Sequence, residues 1–388
     1  MRTVLTAKNL WNGTSLLGDP IVEIADGRIA SVSTRGDAEL PGDAAVHNFP
    51  GATLAPAFLD VHIHGAAGHD VMEATPEALL TIGRFLASHG TGNYLATTVT
   101  APIDATLRAL TGLAKLLSHV PSAAENSAWP MGIHLEGPFL SHAKRGVHPL
   151  EYLLAPDIGL FDRLFEAAEG QVRLMTLAPE LPGAAELAAH ATARGVRVSL
   201  GHSNATAAET RTAIAAGAVS ATHTFNAMRA LDHHEPGILG VVLTTDNLFA
   251  ELICDGIHTD PELVKLWWRA KGAQRAILVT DAMSATGMPD GEYQLGGFMV
   301  QVAGGKASMG DVLAGSLLTL DRALTNFVRF TSASLEEGLR LLTANPAAMI
   351  GLTEQAGSLT VGQPANLVAV DATGKLIASI HHGRPIKI

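Results

Sequence analysis

Cysteine is almost missing from this chain: its 388 residues hold one, Cys254. A lone cysteine cannot close an intramolecular disulfide or build a cysteine zinc site. Its scarcity fits a reducing compartment, so a cytoplasmic location is expected. Charge is scarce as well. Charged residues are 16% of the chain, against roughly 25% in an ordinary soluble protein. The balance is acidic, 26 basic against 37 acidic side chains and net −11. Such a chain is a poor polyanion binder, so nucleic acid is not an expected partner. A small anionic substrate stays open, because local donors can outweigh net charge. Long apolar runs are missing too. No stretch approaches the roughly 18 residues of a membrane helix, and Lys8 and Asn9 fall where a signal peptide would be apolar. A soluble protein without a membrane partner is expected. What the chain does have is apolar residues, 47% of the total, enough to bury a large core and to exclude global disorder.

The ends read as β structure. Val4-Leu5, Ile21 to Ile24 and Arg28 to Val32 are strand-type runs, and Asp26-Gly27 between the last two is a hairpin signal. Leu367 to Val370 and Leu376 to Ile380 repeat the style. The two ends are expected to share a small β-sandwich domain, residues 1–54 with 356–388, flanking a central domain over 55–355. In that centre, eight strand candidates lie near residues 56–63, 93–100, 131–136, 172–178, 196–201, 218–224, 249–255 and 276–281. Helix-type segments separate them, among them Pro76 to Ser88, Ala105 to Ser118, Ala184 to Arg194, Ala205 to Ala216 and Pro261 to Lys271. Strands alternating with helices imply a parallel sheet, and eight such units suggest an α/β fold of the (β/α)8, TIM-like barrel type. An open doubly wound sheet is the alternative; no G-x-G-x-x-G follows the first strand.

The strand ends carry ligand-type residues. They read Asp60-Val61-His62-Ile63-His64-Gly65, His134-Leu135-Glu136-Gly137-Pro138, Leu200-Gly201-His202-Ser203, Thr222-His223-Thr224-Phe225-Asn226, Cys254-Asp255-Gly256-Ile257-His258 and Leu278-Val279-Thr280-Asp281-Ala282. In a barrel the carboxyl ends of the strands share one face, where active sites form. His62 and His64, two apart on a strand, point to one side. Imidazoles backed by carboxylates make a divalent metal site, suited to zinc, iron or manganese rather than magnesium or calcium. A metal-activated water still needs a proton acceptor, and Asp281 is the candidate base, with plain metal ligation as its other possible role. His47, His89, His119 and His190 fall in apparent turns or helices and are given no chemistry. Cys254 reads as a buried strand residue.

At these residues the sequence resembles the amidohydrolase superfamily, and within it the N-acetylglucosamine-6-phosphate deacetylases. The likeness runs over nearly the whole chain. H-x-H is superfamily-wide; Leu135-Glu136-Gly137-Pro138 and Phe225-Asn226-Ala227-Met228 are far more specific, and Leu313-Ala314-Gly315-Ser316 extends the match. The resemblance implies an enzyme that removes the acetyl group of N-acetyl-D-glucosamine 6-phosphate, giving D-glucosamine 6-phosphate and acetate. It implies that Glu136, His202 and His223 hold the principal ion. His62 and His64 permit a second, with Glu136 bridging, zinc being the leading choice. Asp281 activates the water. His148 and His258 contact substrate, one of them helping to polarise the amide carbonyl. Asn226 and the backbone of Ala227 lie near the phosphate, Leu313 and Ala314 also meet the substrate, and the protein is a homodimer.

Two departures matter. Hydantoinase- and dihydroorotase-like relatives bridge their metals with a carbamylated lysine on strand four, but Val172 to Glu180 contains no lysine. The family also commonly places an arginine before an acidic-Pro-Gly turn, reaching a neighbouring subunit's substrate phosphate. Here the segment is His233-His234-Glu235-Pro236-Gly237, with His234 in the arginine's place. Histidine lacks the permanent charge and the fork of arginine. Other amido sugars therefore stay open as substrates, N-acetylgalactosamine 6-phosphate or unphosphorylated N-acetylglucosamine, as does a non-catalytic sugar- or metal-binding role.

Overall fold

In the computed structural model, which describes residues 2–37, 40, 42, 44–119 and 126–388, the central apolar runs form eight strands. They are β1 (Phe58–Ile63), β2 (Thr91–Thr98), β3 (Trp129–Glu136), β4 (Val172–Leu177), β5 (Arg197–Leu200), β6 (Ala218–Ala221), β7 (Phe249–Ile253) and β8 (Ala276–Val279). They pair in chain order, all parallel. A parallel bridge between Ile63 and Ala282 joins the first to the last. The sheet closes on itself as a TIM-like barrel, and the open doubly wound alternative is excluded. Helices cover the outside and side chains fill the inside, so a strand such as β8, Ala-Ile-Leu-Val, is buried at every residue.

The connecting helices follow local signals. The helix Pro76–Ser88 starts where Thr75 accepts from the Ala78 N–H and proline takes the first turn. Its Leu79, Ile82 and Leu86 form the stripe that packs on the barrel; burying each such side chain contributes about 1.5–3 kcal/mol. The last helix expected from sequence begins at Pro261 under an Asp260 cap. Its expected end at Lys271 coincides with a break, Gly272 adopting φ 59°, after which the helical assignment resumes to Arg275.

Strands from both ends of the chain share one mixed sheet. Arg2–Trp11 pairs in parallel with Ala45–Pro56, which pairs with Leu367–Val370. The Asp26-Gly27 signal is a two-residue hairpin: Ala25 pairs with Arg28, and Asp26 and Gly27 both have positive φ, 50° and 75°. This sheet buries an apolar cluster that includes Leu5, Leu10, Val22, Ile24, Leu367 and Ile380. His47 lies within the strand Ala45–Pro56, not in a turn or helix as expected. Pro50 and Gly51 in the same segment obscure a strand reading, and pairing with Arg2–Trp11 overrides them.

One element was not foreseen. After β8 the chain forms a four-stranded antiparallel sheet from Gly291–Leu295, Phe298–Ala303, Lys306–Met309 and Val312–Leu313. Its Leu295, Val300, Val302 and Ala307 bury against Val99, Val147 and Met283 at the carboxyl end of the barrel. Among the described residues no helix is long and apolar enough to cross a membrane.

Candidate active site

The strand-end residues converge. His202 Nε2, His223 Nε2 and Glu136 Oε1 form a triangle with edges of 3.1, 3.2 and 3.3 Å. The other Glu136 oxygen lies 3.2 Å from His64 Nε2, which is itself 3.2 Å from Asp281 Oδ1. His62 Nε2 stands 3.5 Å from both Glu136 Oε1 and Asp281 Oδ1. All six side chains are buried or nearly so, His62 completely.

Three of these residues leave their strands in the same way. His202, His223 and Asp281 each lie two residues past a strand end and have positive φ, 46°, 27° and 52°. Such conformations cost non-glycine residues of order 1–3 kcal/mol each. Hydrogen bonds offset the cost: Asp281 N–H donates to the His62 carbonyl at 2.9 Å, Ser141 N–H to the His202 carbonyl at 3.0 Å, and His223 N–H to Glu251 Oε2 at 3.3 Å.

A second layer orients the rings. His64 Nδ1 lies 3.1 Å from the Thr97 carbonyl, His202 Nδ1 3.0 Å from the Lys144 carbonyl, and His62 Nδ1 3.4 Å from Glu251 Oε2. Each partner accepts, so Nδ1 carries a proton and Nε2 is the nitrogen turned to the cluster, where it takes an ion or a second proton. His148 is different. Its Nδ1 accepts from the Thr100 backbone N–H at 3.3 Å, so in the neutral ring the proton sits on Nε2, 3.6 Å from Glu136 Oε2. His148 groups with Glu136 and His202 by distance, but that tautomer makes it a donor rather than a ligand.

The cluster fits a divalent metal. Ligand atoms 2.0–2.1 Å from an ion at tetrahedral angles stand about 3.3 Å apart, the spacing found between His202, His223 and Glu136. His62 Nε2 is buried without a hydrogen-bond partner among the described residues. The electrostatics agree. Burial pushes the Glu136 carboxyl up, but His62 and bonds to His148, His202 and His223 outweigh it and hold the group well below its usual range. Burial also acts upward on Asp281, and His62 and His64 bring it down to about 2. Burial alone would lower His62 and His64; the two carboxylates reverse this, raising His62 well above its ordinary value and His64 to about 9. In the ion-free protein, protons supply the positive charge that these carboxylates attract. Burial dominates at His202 and lowers it to about 4.

Glu136, His64, His202, His223 and Asp281 open onto a cavity of about 410 Å³ at the carboxyl end of the barrel. His148, His258, Asn226, Ala227 and Leu313 line it as well. His258 Nδ1 is held by Asp255 Oδ2 at 2.7 Å. Ala314 is fully buried, its N–H on the Ala307 carbonyl. His234 stands apart, exposed, its ring 4.0 Å from that of His233 and its N–H on Asp232. None of the described residues lining the cavity is Lys or Arg. Sequence reasoning missed Asp311 and Val312, which the unforeseen sheet brings to the rim, and two fully buried groups beneath the cluster, Asp60 and Glu251. Asp60 followed the strand pattern and carried no signal. Glu251, an acid in a run otherwise apolar from Leu248 to Cys254, could have been noticed. Cys254 is buried as expected, and burial pushes its thiol up.

Residues 53–385 match the Amidohydrolase family. The chain is 38% identical over 381 residues to an N-acetylgalactosamine-6-phosphate deacetylase of Escherichia coli O157:H7, covering 96% of each chain. It is 39% identical over 370 residues to an N-acetylglucosamine-6-phosphate deacetylase of Lysinibacillus sphaericus, covering 94% of this chain and 92% of the other. A mutant N-acetyl-D-glucosamine-6-phosphate deacetylase of Mycobacterium smegmatis, solved in complex with N-acetyl-D-glucosamine-6-phosphate, matches with a TM-score of 0.91 at 35% identity over 99% of both chains. The chain belongs to the amidohydrolase family, and within it to the N-acetylglucosamine-6-phosphate deacetylases.

Proposed function

We propose that this amidohydrolase removes the acetyl group from N-acetyl-D-glucosamine 6-phosphate, releasing acetate and D-glucosamine 6-phosphate. The observation that carries the reading is the carboxylate of Asp281 set beside a His/Glu ion cluster at the floor of an open cavity. Relatives named for this activity over nearly the full chain support it.

Glu136, His202 and His223 would hold the principal ion. His62 and His64 would hold a second, with Glu136 between the two groups: its Oε1 lies near His202, His223 and His62, and its Oε2 near His64. A bound divalent ion, with zinc the best match to this donor set, supplies carbonyl polarisation and an activated water. Asp281 takes the water proton on its carboxylate and returns it to the departing nitrogen, the same group acting as base and then acid. His148, with Nε2–H facing the cavity, donates to the amide oxygen. His258, braced by Asp255, and the backbone at Leu313 and Ala314 position the sugar. Asn226 and Ala227 meet the phosphate. His234, exposed on a loop away from this cavity, serves a neighbouring subunit's site in a homodimer. The protein works in the cytoplasm, where its lone buried cysteine stays reduced.

A second reading is favoured by one observation. Without a lining Lys or Arg from this chain, phosphate recognition rests on neutral donors and on His234, so a different amido sugar is open. The relative named N-acetylgalactosamine-6-phosphate deacetylase points the same way. Amine release from N-acetylglucosamine 6-phosphate, N-acetylgalactosamine 6-phosphate and unphosphorylated N-acetylglucosamine, compared by kcat/KM, decides between them. Preference for the first supports the main reading, and preference for another replaces it. No release from any, with the protein fully metal-loaded, leaves a binding protein.

A further inference from the structure

We infer that Glu251 is the positioning residue for the second ion, acting through His62. It stands on β7 within the barrel, fully buried, and does not line the substrate cavity. Its backbone carbonyl accepts the Thr224 N–H at 2.8 Å, and its Oε2 accepts the His223 N–H at 3.3 Å. The same Oε2 is 3.4 Å from His62 Nδ1. Oε1 is buried and has no hydrogen-bond partner among the described residues. An unsatisfied buried oxygen costs about 1–3 kcal/mol, so packing alone does not account for a carboxylate here; what the side chain serves is the His223 N–H and the His62 ring at its other oxygen.

The ring it touches explains the choice. His64 and His202 present Nδ1 to neutral backbone carbonyls, whereas His62 presents Nδ1 to a carboxylate. A carboxylate fixes the tautomer with Nε2 bare and makes the imidazole a stronger ligand than a carbonyl does. Nε2 then faces Glu136 Oε1 and Asp281 Oδ1. The edge of the His134 ring, 4.7 Å away by centroid, and the Asp60 carboxylate on the His62 backbone N–H hold the rest of the residue. Glu251 is therefore the group on which the ligand strength of His62 depends, and it is anchored to the backbone of His223, a ligand of the other ion.

The inference rests on the cluster being an ion site but not on the substrate, so the test does not use turnover. The full-length protein is stripped with a chelator and titrated with zinc and with cobalt(II), with bound ion measured by elemental analysis and by the visible absorption of cobalt. Wild type is expected to hold two equivalents. Glu251→Leu should keep one equivalent and lose the absorption change of the second. Glu251→Gln, which retains an acceptor oxygen without the charge, should restore two equivalents with the second bound about 10–100-fold more weakly. A single equivalent in wild type overturns the inference, as does Glu251→Leu binding both ions as tightly as wild type or losing both alike. If Glu251→Leu does not fold, an unchanged second affinity in Glu251→Gln overturns it.

Discussion

The Nε2 atoms of His202 and His223 face each other across 3.1 Å. Two imidazole nitrogens meet at that distance only when one carries a proton or when a cation lies beside both. Burial holds His202 down at about 4, so at neutral pH its ring is neutral, with the Nδ1 proton on the Lys144 carbonyl. Its Nε2 is left as a lone pair awaiting a positive charge. His202→Ala or His223→Ala should remove the principal ion and nearly all turnover. Elemental analysis of the purified variants checks this, and full ion occupancy in either would remove that residue from the ligand set.

Asp281→Asn keeps the size of the side chain and an oxygen able to ligate, but it cannot carry the proton. Ion content should change little, while kcat falls by about 10²–10⁴. Near-normal kcat would take the proton-transfer role from Asp281.

Ion loading should depend on pH. In the ion-free protein His64 is raised to about 9 and His62 is raised well above its ordinary value, whereas Glu136 and Asp281 are already ionised at neutral pH. The ion must displace protons from the two rings, so uptake at pH 7 should release protons, and affinity should climb up to about pH 9. The sign for stability is the opposite. His64 has a folded pKa above its unfolded value of 6.5, so its ion pairs stabilise the ion-free protein fully below pH 6.5 and are lost as pH rises through about 9. Melting curves across this range, with and without zinc, should diverge as pH rises. A zinc-induced shift that is independent of pH would contradict the assignment.

Gly137 follows Glu136 directly, with φ 89°, and a Cβ there would sit within the shell of the Thr100 hydroxyl. Thr100 in turn holds His148 through its backbone N–H and its hydroxyl. Gly137→Ala should therefore act twice, through backbone strain of about 1–3 kcal/mol and through displacement of Thr100 from His148. Thermal melting should show the first effect, and a kcat loss larger than the stability change accounts for should show the second.

Much of this protein could be read from its residues. The eight parallel strands follow from apolar runs at regular spacing, because a strand covered on both faces must be apolar throughout. The H-x-H spacing places both rings on one side because strand geometry repeats every two residues. The strand ends single out His62, His64 and Asp281, the family resemblance adds Glu136, His202 and His223 as ion ligands, and the six side chains meet. The rest depends on neighbours distant in the chain. The sheet over 291–313 has its inner face defined by Val99, Val147 and Met283, so the alternation within it had no partner to be read against. The left-handed turns at His202, His223 and Asp281 oppose local preference and are held by groups from other segments: the His202 carbonyl accepts the Ser141 N–H, and the His223 and Asp281 N–H groups donate to the Glu251 carboxylate and the His62 carbonyl. Glu251 gave no periodic signal, since its importance lies in two atoms of His62 and His223 that no spacing along the chain brings near. Sequence alone set which side chains could ligate and which strands carried them. The tautomer, the distance and the charge at each nitrogen were decided by closure of the barrel, because those properties belong to contacts between strands rather than to any one strand.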